Sequence, residues 1–255
     1  MNQEKAVFIC ADSTEGIFTA VYDGWLEAKK VQIQIRTCEP ENMELFTRLH
    51  HVQSDSEKAG RVTRTILKNL GSAVYQDLWY AAASSDPDRG TAVFYTLYKS
   101  FFHGKWDPGI MEDVADAYVG QVSRLRTRVW RELHHYYGFL RFREIGGRIL
   151  FSEIEPANDI LEMLGTHFQD RFQGENWMIY DKKRKKAMIH PVQSACTVIQ
   201  NVQPKVTDQT PGNPEIYEDL WRVFCSAITI PERKNTALQQ QLLPLKYRRN
   251  MVEFT

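Results

Sequence analysis

The stretch Phe139-Leu140-Arg141-Phe142-Arg143-Glu144-Ile145-Gly146-Gly147-Arg148-Ile149-Leu150-Phe151-Ser152-Glu153-Ile154 decides how the chain is read. Two strand-like pieces, 139–145 and 148–154, flank a glycine pair. Glycine supplies the positive φ that a tight reversal needs, so the pattern predicts a hairpin. Upstream the periodicity is different. Met111, Val114, Tyr118, Val122, Leu125, Val129 and Leu133 recur every three or four residues, which lays an apolar stripe along a helix ended by Gly138. Downstream, Trp177–Asp181 and Ala187–His190 predict a second hairpin that turns through Lys182–Lys186.

Working outward, Ala6–Cys10 reads as a buried strand and Gln32–Arg36 as an alternating one. Between them Asp12 and Glu15 have capping-box spacing, ahead of a helix through Ile17, Val21, Trp25 and Ala28. Ser54 and Glu57 form a second such box, before a helix through Val62, Ile66 and Leu70 that stops at Gly71. Helices are expected over 73–83 and 91–102, across the turn Ser85–Asp88. Asn158 or Asp159 is expected to cap a helix carrying Leu161, Leu164 and Phe168. Residues 201–214 read as a loop, followed by a helix through Ile216, Leu220 and Phe224 and a last helical piece over 235–242. The expected fold class is α+β, a helical body packed with a small antiparallel sheet of hairpins. Residues 1–255 form one globular domain or two intimate subdomains, about 1–137 mainly helical and about 138–255 of hairpins plus helices.

The composition is that of a folded protein. Hydrophobic residues are 43% of 255, and 32 Lys plus Arg balance 32 Asp plus Glu, which excludes a disordered chain. The four cysteines are far apart and form no C-x-x-C pair, so neither a disulfide framework nor a zinc or iron–sulfur centre is expected. The polar start and the lack of a long apolar run predict a cytoplasmic protein without a membrane span. P-loop, G-x-G-x-x-G, G-x-S-x-G, H-E-x-x-H and zinc-deaminase signatures are all missing. No cofactor or metal is expected.

Two constellations remain. Glu132, His134 and His135 lie near the end of the long helix, and Glu132–His135 has the Glu-x-x-His spacing that makes one half of a di-metal carboxylate motif, of which no second copy is present. Glu155, His167 and Arg171 follow; with Glu132 and His134 they make candidates for acid–base work in one cleft, although capping explains Glu155 and Asn158 equally well. The second constellation is basic. Arg128 on the helix, Arg141 on the first hairpin, Arg171, and the run Lys182, Lys183, Arg184, Lys185, Lys186 are candidates for phosphate contacts. Trp177 and Tyr180, just before the run, could stack on bases. A solvated hairpin tip is the plain alternative.

The order of these pieces resembles a bacterial family of DNA-metabolism proteins built around a domain of unknown function. The resemblance is carried by Asp12 to Tyr22; by Glu132, His134, Gly138, Phe139, Arg141 and Phe142; and by Ile154-Glu155-Pro156, Ile160, Leu164, His167-Phe168 and Arg171-Phe172. Trp177, Ile179, Asp181, Trp221, Ile228, Arg233, Asn235, Pro244 and Tyr247 continue it. His135, Tyr137 and Asn158 depart from the pattern, where a basic residue, a basic residue and histidine are expected. The resemblance implies a role in DNA repair or metabolism beside a radical-SAM DNA-repair-like protein, and kinship with a domain fused to uracil-DNA-glycosylase-like proteins. Three functions therefore compete: a DNA-binding repair accessory, an enzyme on a nucleotide or damaged base using Glu132, His134, Glu155 and His167, and a protein-interaction scaffold.

Overall fold

The computed structural model describes residues 4–40, 47–102, 104–145, 149–202, 223, 235–249, 251 and 254. The fold is mixed α and β, and the chain divides into two compact units: 1–131 with 157–159, and 132–156 with 160–255.

The first unit is built on three parallel strands, β1 (Lys5–Ile9), β2 (Gln32–Arg36) and β3 (Thr47–His51), in the order β2-β1-β3. β3 is a strand that the polar sequence Thr-Arg-Leu-His-His did not announce. Register sets Ala6 beside Ile33 and Phe8 beside Ile35, and all four are buried. Each large apolar side chain buried this way stabilises the fold by roughly 1.5–3 kcal/mol. Helix α1 (Thr14–Gly24) follows β1, and α2 (Ser56–Asn69), α3 (Ser72–Ala83) and α4 (Arg89–Ser100) complete the layer.

α4 also closes the outer edge of β2. Thr91 Oγ1 accepts from Ile35 N and Tyr95 Oη accepts from Ile33 N, both at 3.0 Å. Side chains thus satisfy amides that would otherwise offer an edge for pairing. The approach is close because residue 90 is glycine; a Cβ there would stand 2.8 Å from Ile35 O. A short pair, β4 (Phe101–Phe102) and β5 (Lys105–Trp106), follows.

Helix α5 (Ala117–Phe139) begins later than its apolar stripe predicts. Asp116 Oδ1 accepts from the Tyr118 and Val119 amides and fixes the start, while Met111 lies in a 3-10 turn, Ile110–Glu112, and Val114 is exposed. Both capping boxes are displaced by one residue. Ser13, not Asp12, receives the Gly16 amide, and Asp55, not Ser54, receives those of Glu57 and Lys58.

The second unit carries a five-stranded sheet, β6 (Arg143–Ile145), β7 (Ile149–Ile154), β8 (Asn176–Asp181), β9 (Lys186–His190) and β10 (Thr197–Gln200), in the order β10-β9-β8-β7-β6. β6–β7 and β8–β9 pair as the two hairpins read from the sequence, but the first strand is shorter than expected: α5 continues past Gly138 to Phe139, and 140–142 are neither helix nor strand. β7 and β8 are parallel, which requires a crossover, and α6 (Leu161–Arg171) supplies it. α6 is not capped by Asn158 or Asp159: Asn158 is buried and accepts from the Ser85 amide instead. Two short helices, α7 (Thr236–Leu242) and α8 (Leu245–Arg248), are described near the C-terminus. The Gly146-Gly147 turn and, but for Val223, the helix expected around 216–227 lie outside the described residues. Among the described residues no helix is long and apolar enough to cross a membrane.

Candidate functional site

The basic run forms the tip of the β8–β9 hairpin. Asp181, fully buried, builds the turn: its Oδ1 accepts from the Lys183 and Arg184 amides at 2.9 and 3.1 Å, and its Oδ2 meets Arg184 Nη1 at 3.1 Å. Arg184 Nη1 also donates to Pro156 O, and its side chain is only 12% exposed. Lys182 pairs with Glu153 at 3.0 Å and with Glu155 at 3.6 Å. Arg184 and Lys182 therefore help hold the tip in shape; Lys183 and Lys185 are exposed and Lys186 is half-buried in β9. Lys185 has φ 53°, a left-handed conformation that costs a residue with a Cβ roughly 1–2 kcal/mol.

The stacking partners expected beside this run are elsewhere. Trp177 is 1% exposed and lies parallel to His190 at 5.1 Å, and Tyr180 is buried in the sheet core. Both rings are covered by the unit's own residues, so neither is offered to a base. Arg141 donates to Gly138 O at 2.9 Å, and Arg171 is exposed with its guanidinium over Phe172. Arg128 belongs to the other unit, where it lies 3.9 Å from Asp86.

The four acid–base candidates fall on two faces of α5. Glu132 and Tyr136 are one turn apart. Glu132, buried, takes Lys246 Nζ of α8 at 2.7 Å, and the Tyr136 hydroxyl meets the Glu155 backbone. Burial, then the Glu132 charge, raises the Tyr136 pKa. Burial alone would lower the Lys246 pKa, but the hydrogen bonds and charges of Glu132 and Tyr247 together outweigh it and the pKa rises. The other face carries His134 and Tyr137. Tyr137 stacks on His167 at 4.0 Å, and the His134 ring lies 6.4 Å from Tyr137. Burial, then Arg171, lowers the His167 pKa, and His167 Nε2 has no hydrogen-bond partner among the described residues. Positions 136 and 137 are about 100° apart around a helix, so the set is divided rather than convergent. His135, the second half of the Glu-x-x-His spacing, turns to Tyr247 Oη at 3.3 Å; burial, then Lys246, lowers its pKa. Among the described residues no three His, Cys, Asp or Glu side chains are placed to hold a metal ion.

Sequence reasoning missed a polar cluster at the carboxyl ends of β1 and β2. Arg89, 3% exposed, donates to Ala82 O at 2.9 Å and Asp86 O at 3.0 Å, and pairs with Asp12, whose side chain is 67% exposed. Asp88 and Arg36 pair alongside at 2.9 Å. The loop from β1 into α1 bends tightly; a Cβ on Gly16 would lie 2.5 Å from Ala11 O. In open parallel sheets, ligands favour this edge where strand order reverses, and β1 has neighbours on both sides. The only available signal was Asp12-Ser13-x-x-Gly16 directly after an apolar strand. Arg89, the first residue of α4, gave none.

The family model described as a domain of unknown function, DUF4130, matches residues 87–253. No curated protein matches the chain. A solved structure described as the DHH domain of a member of a family of ribosomal proteins is 10% identical and covers 73% of each chain, with a TM-score of 0.29. At that score the likeness carries no argument.

Proposed function

Since the chain belongs to the DUF4130 family, whose description names no activity, we propose from the geometry and the sequence resemblance that it is a nucleic-acid-binding protein of DNA metabolism. The observation that carries this is the strained, braced tip of the β8–β9 hairpin. A lysine stands in a left-handed position at Lys185, and the tip beneath it is fixed by Asp181, Arg184 and Lys182. Such strain persists where the surroundings over-determine it and is common at functional sites. Lys183 and Lys185 then meet phosphates from a preorganised turn, at little ordering cost. The resemblance supports a radical-SAM DNA-repair-like protein as partner, a uracil-DNA-glycosylase-like protein as a second, and a cytoplasmic setting.

Fluorescence anisotropy with labelled single- and double-stranded DNA, titrated across salt concentration, tests the reading. Each phosphate contact contributes roughly 0.9 to the slope of log K against log salt on duplex DNA. The pair Lys183→Glu and Lys185→Glu is therefore expected to flatten the slope by roughly two and to weaken binding to every sequence alike. An unchanged slope refutes the tip as the interface.

A second reading, an enzyme acting on a nucleotide or base, is favoured by the Asp12–Arg89 cluster rather than by the divided Glu132, His134, Glu155 and His167 set. A buried guanidinium there holds an exposed carboxylate at the ligand edge of a parallel sheet. If this is correct, Asp12→Asn removes turnover without moving the DNA salt slope.

A further inference from the structure

The first unit contains a cleft of about 330 Å³, at the low end of the range for small-molecule sites. Its floor is apolar: Val21, Ile66 and Leu97 are at most 2% exposed. One wall is Trp25 with Trp106, half-buried indoles stacked on each other with centroids 5.9 Å apart at 27°. Behind them Tyr98 and Phe101 contact Trp25 edge-on or tilted, which fixes its orientation.

The rim is polar but neutralised. Arg61 Nη2 donates to Glu57 at 2.6 Å, and Lys58, outside the lining but over the Tyr22 ring, donates to Asp23 at 2.7 Å. A phosphate or carboxylate would have to break these pairs. Tyr22 Oη accepts from Arg61 at 3.3 Å and keeps its own proton to give. Thr65 Oγ1 donates to Arg61 O at 2.8 Å and keeps lone pairs to accept with. One donor and one acceptor therefore stand at the mouth of a flat apolar slot. Saturated hydrocarbons leave both unused, and an anion must compete with Glu57 for Arg61, the cation of the lining. A planar ring with polar atoms on its edge satisfies all three features.

We propose that this cleft binds a flat, uncharged heteroaromatic ring of nucleobase size, stacked on the Trp25–Trp106 wall with its edge on Tyr22 and Thr65. The site is independent of the hairpin tip and would stand if the tip bound no DNA.

The test is saturation-transfer NMR and calorimetry on the full chain with adenosine and thymidine, with AMP and cyclohexanol as controls. Nucleoside binding at millimolar concentration or below is expected, with AMP no tighter than adenosine and cyclohexanol not detected. Removing one stacking ring commonly weakens base binding by about tenfold, so Trp106→Ala is expected to lose that much. If that variant does not fold, Thr65→Trp, which fills the cleft from the exposed face of α2, is expected to abolish binding. The Lys183→Glu/Lys185→Glu protein is expected to bind nucleosides like the parent, which separates failure here from failure of the DNA reading. Lack of nucleoside binding, binding that survives Thr65→Trp, cyclohexanol bound as well as adenosine, or AMP bound more tightly would each overturn the proposal.

Discussion

Gly16 and Gly165 pose one steric problem with two outcomes. A Cβ at Gly16 would lie 2.5 Å from Ala11 O and 3.0 Å from Ala11 N; a Cβ at Gly165 would lie 2.5 Å from Met188 Cε. The overlap is the same, but the opposing atoms differ. Ala11 is backbone, and its carbonyl accepts from Ser13 N at 2.8 Å, while the adjoining Cys10 amide donates to Arg36 O at 2.9 Å. Moving it disturbs both bonds and the start of α1. Forced overpacking of this kind costs about 1–3 kcal/mol, and an alanine in the first turn of a helix returns at most about 1 kcal/mol. Gly16→Ala is thus expected to lose about 2 kcal/mol, or about 4–8 °C in Tm for a protein of this size. At Gly165 the obstacle is the end of a methionine with three rotatable bonds. A rotamer shift costing about 0.5–1.5 kcal/mol is matched by the helix gain, so Gly165→Ala is expected within about 0.5 kcal/mol of the parent. Urea and thermal unfolding followed by circular dichroism give both values. If Gly16→Ala is neutral, or if Gly165→Ala loses as much, then the identity of the opposing atom does not decide the cost and the reasoning is wrong.

Further outcomes follow from other contacts. Arg89→Met strands the Ala82 and Asp86 carbonyls and is expected to cost about 2–5 kcal/mol in thermal unfolding, whereas Asp12→Ala, at the exposed end of the same pair, is expected to cost under about 1 kcal/mol. Lys185→Gly relieves the left-handed strain and is expected to raise stability by about 1 kcal/mol while flattening the DNA salt slope by about one. His167 has a folded pKa below its unfolded value, so the unfolded state takes up the proton first as pH falls. Stability is expected to drop below the ordinary histidine range and to be unaffected above it, and His167→Phe should flatten that part of a stability–pH curve. Burial pushes the Cys10 thiol up to about 11, so iodoacetamide at pH 8 is expected to label exposed Cys38 and to spare Cys10 until the protein is unfolded, as read by peptide mass spectrometry.

Local chemistry made much of the architecture legible. Gly71, the expected helix stop, has φ 90°, and both hairpins form, the first with a strand shortened at its start because α5 runs on to Phe139. Strand β3 was hidden because Thr47–His51 is a half-exposed edge with no apolar rhythm. The parallel pairing of β7 with β8 was hidden because periodicity reports a strand's faces and not its neighbours. The candidate site was less legible. A run of five cations looks uniform in sequence, yet Asp181 holds Arg184 and Glu153 and Glu155 hold Lys182. Glu132 and His134 were expected in one pocket with Glu155 and His167, but they are two residues apart, a spacing that a helix sends to different faces. Arg89 was invisible, since its role rests on carbonyls seven and three residues earlier and on an acid at the far end of the unit's sequence.

The crossover through α6 also sets an order of events during folding. Asp181 finds Lys186 across one short turn, and Ile189 finds Thr197 across another, so β8, β9 and β10 can zip on the microsecond scale of local hairpins. β7 cannot join them until Ile149 reaches Asn176, with a helix formed and laid down between them. That closure is the entropically costly step of the sheet. Substitutions at Leu164 or Phe168, on the buried side of α6, are therefore expected to slow refolding, whereas changes at the hairpin tip should act on the unfolding rate.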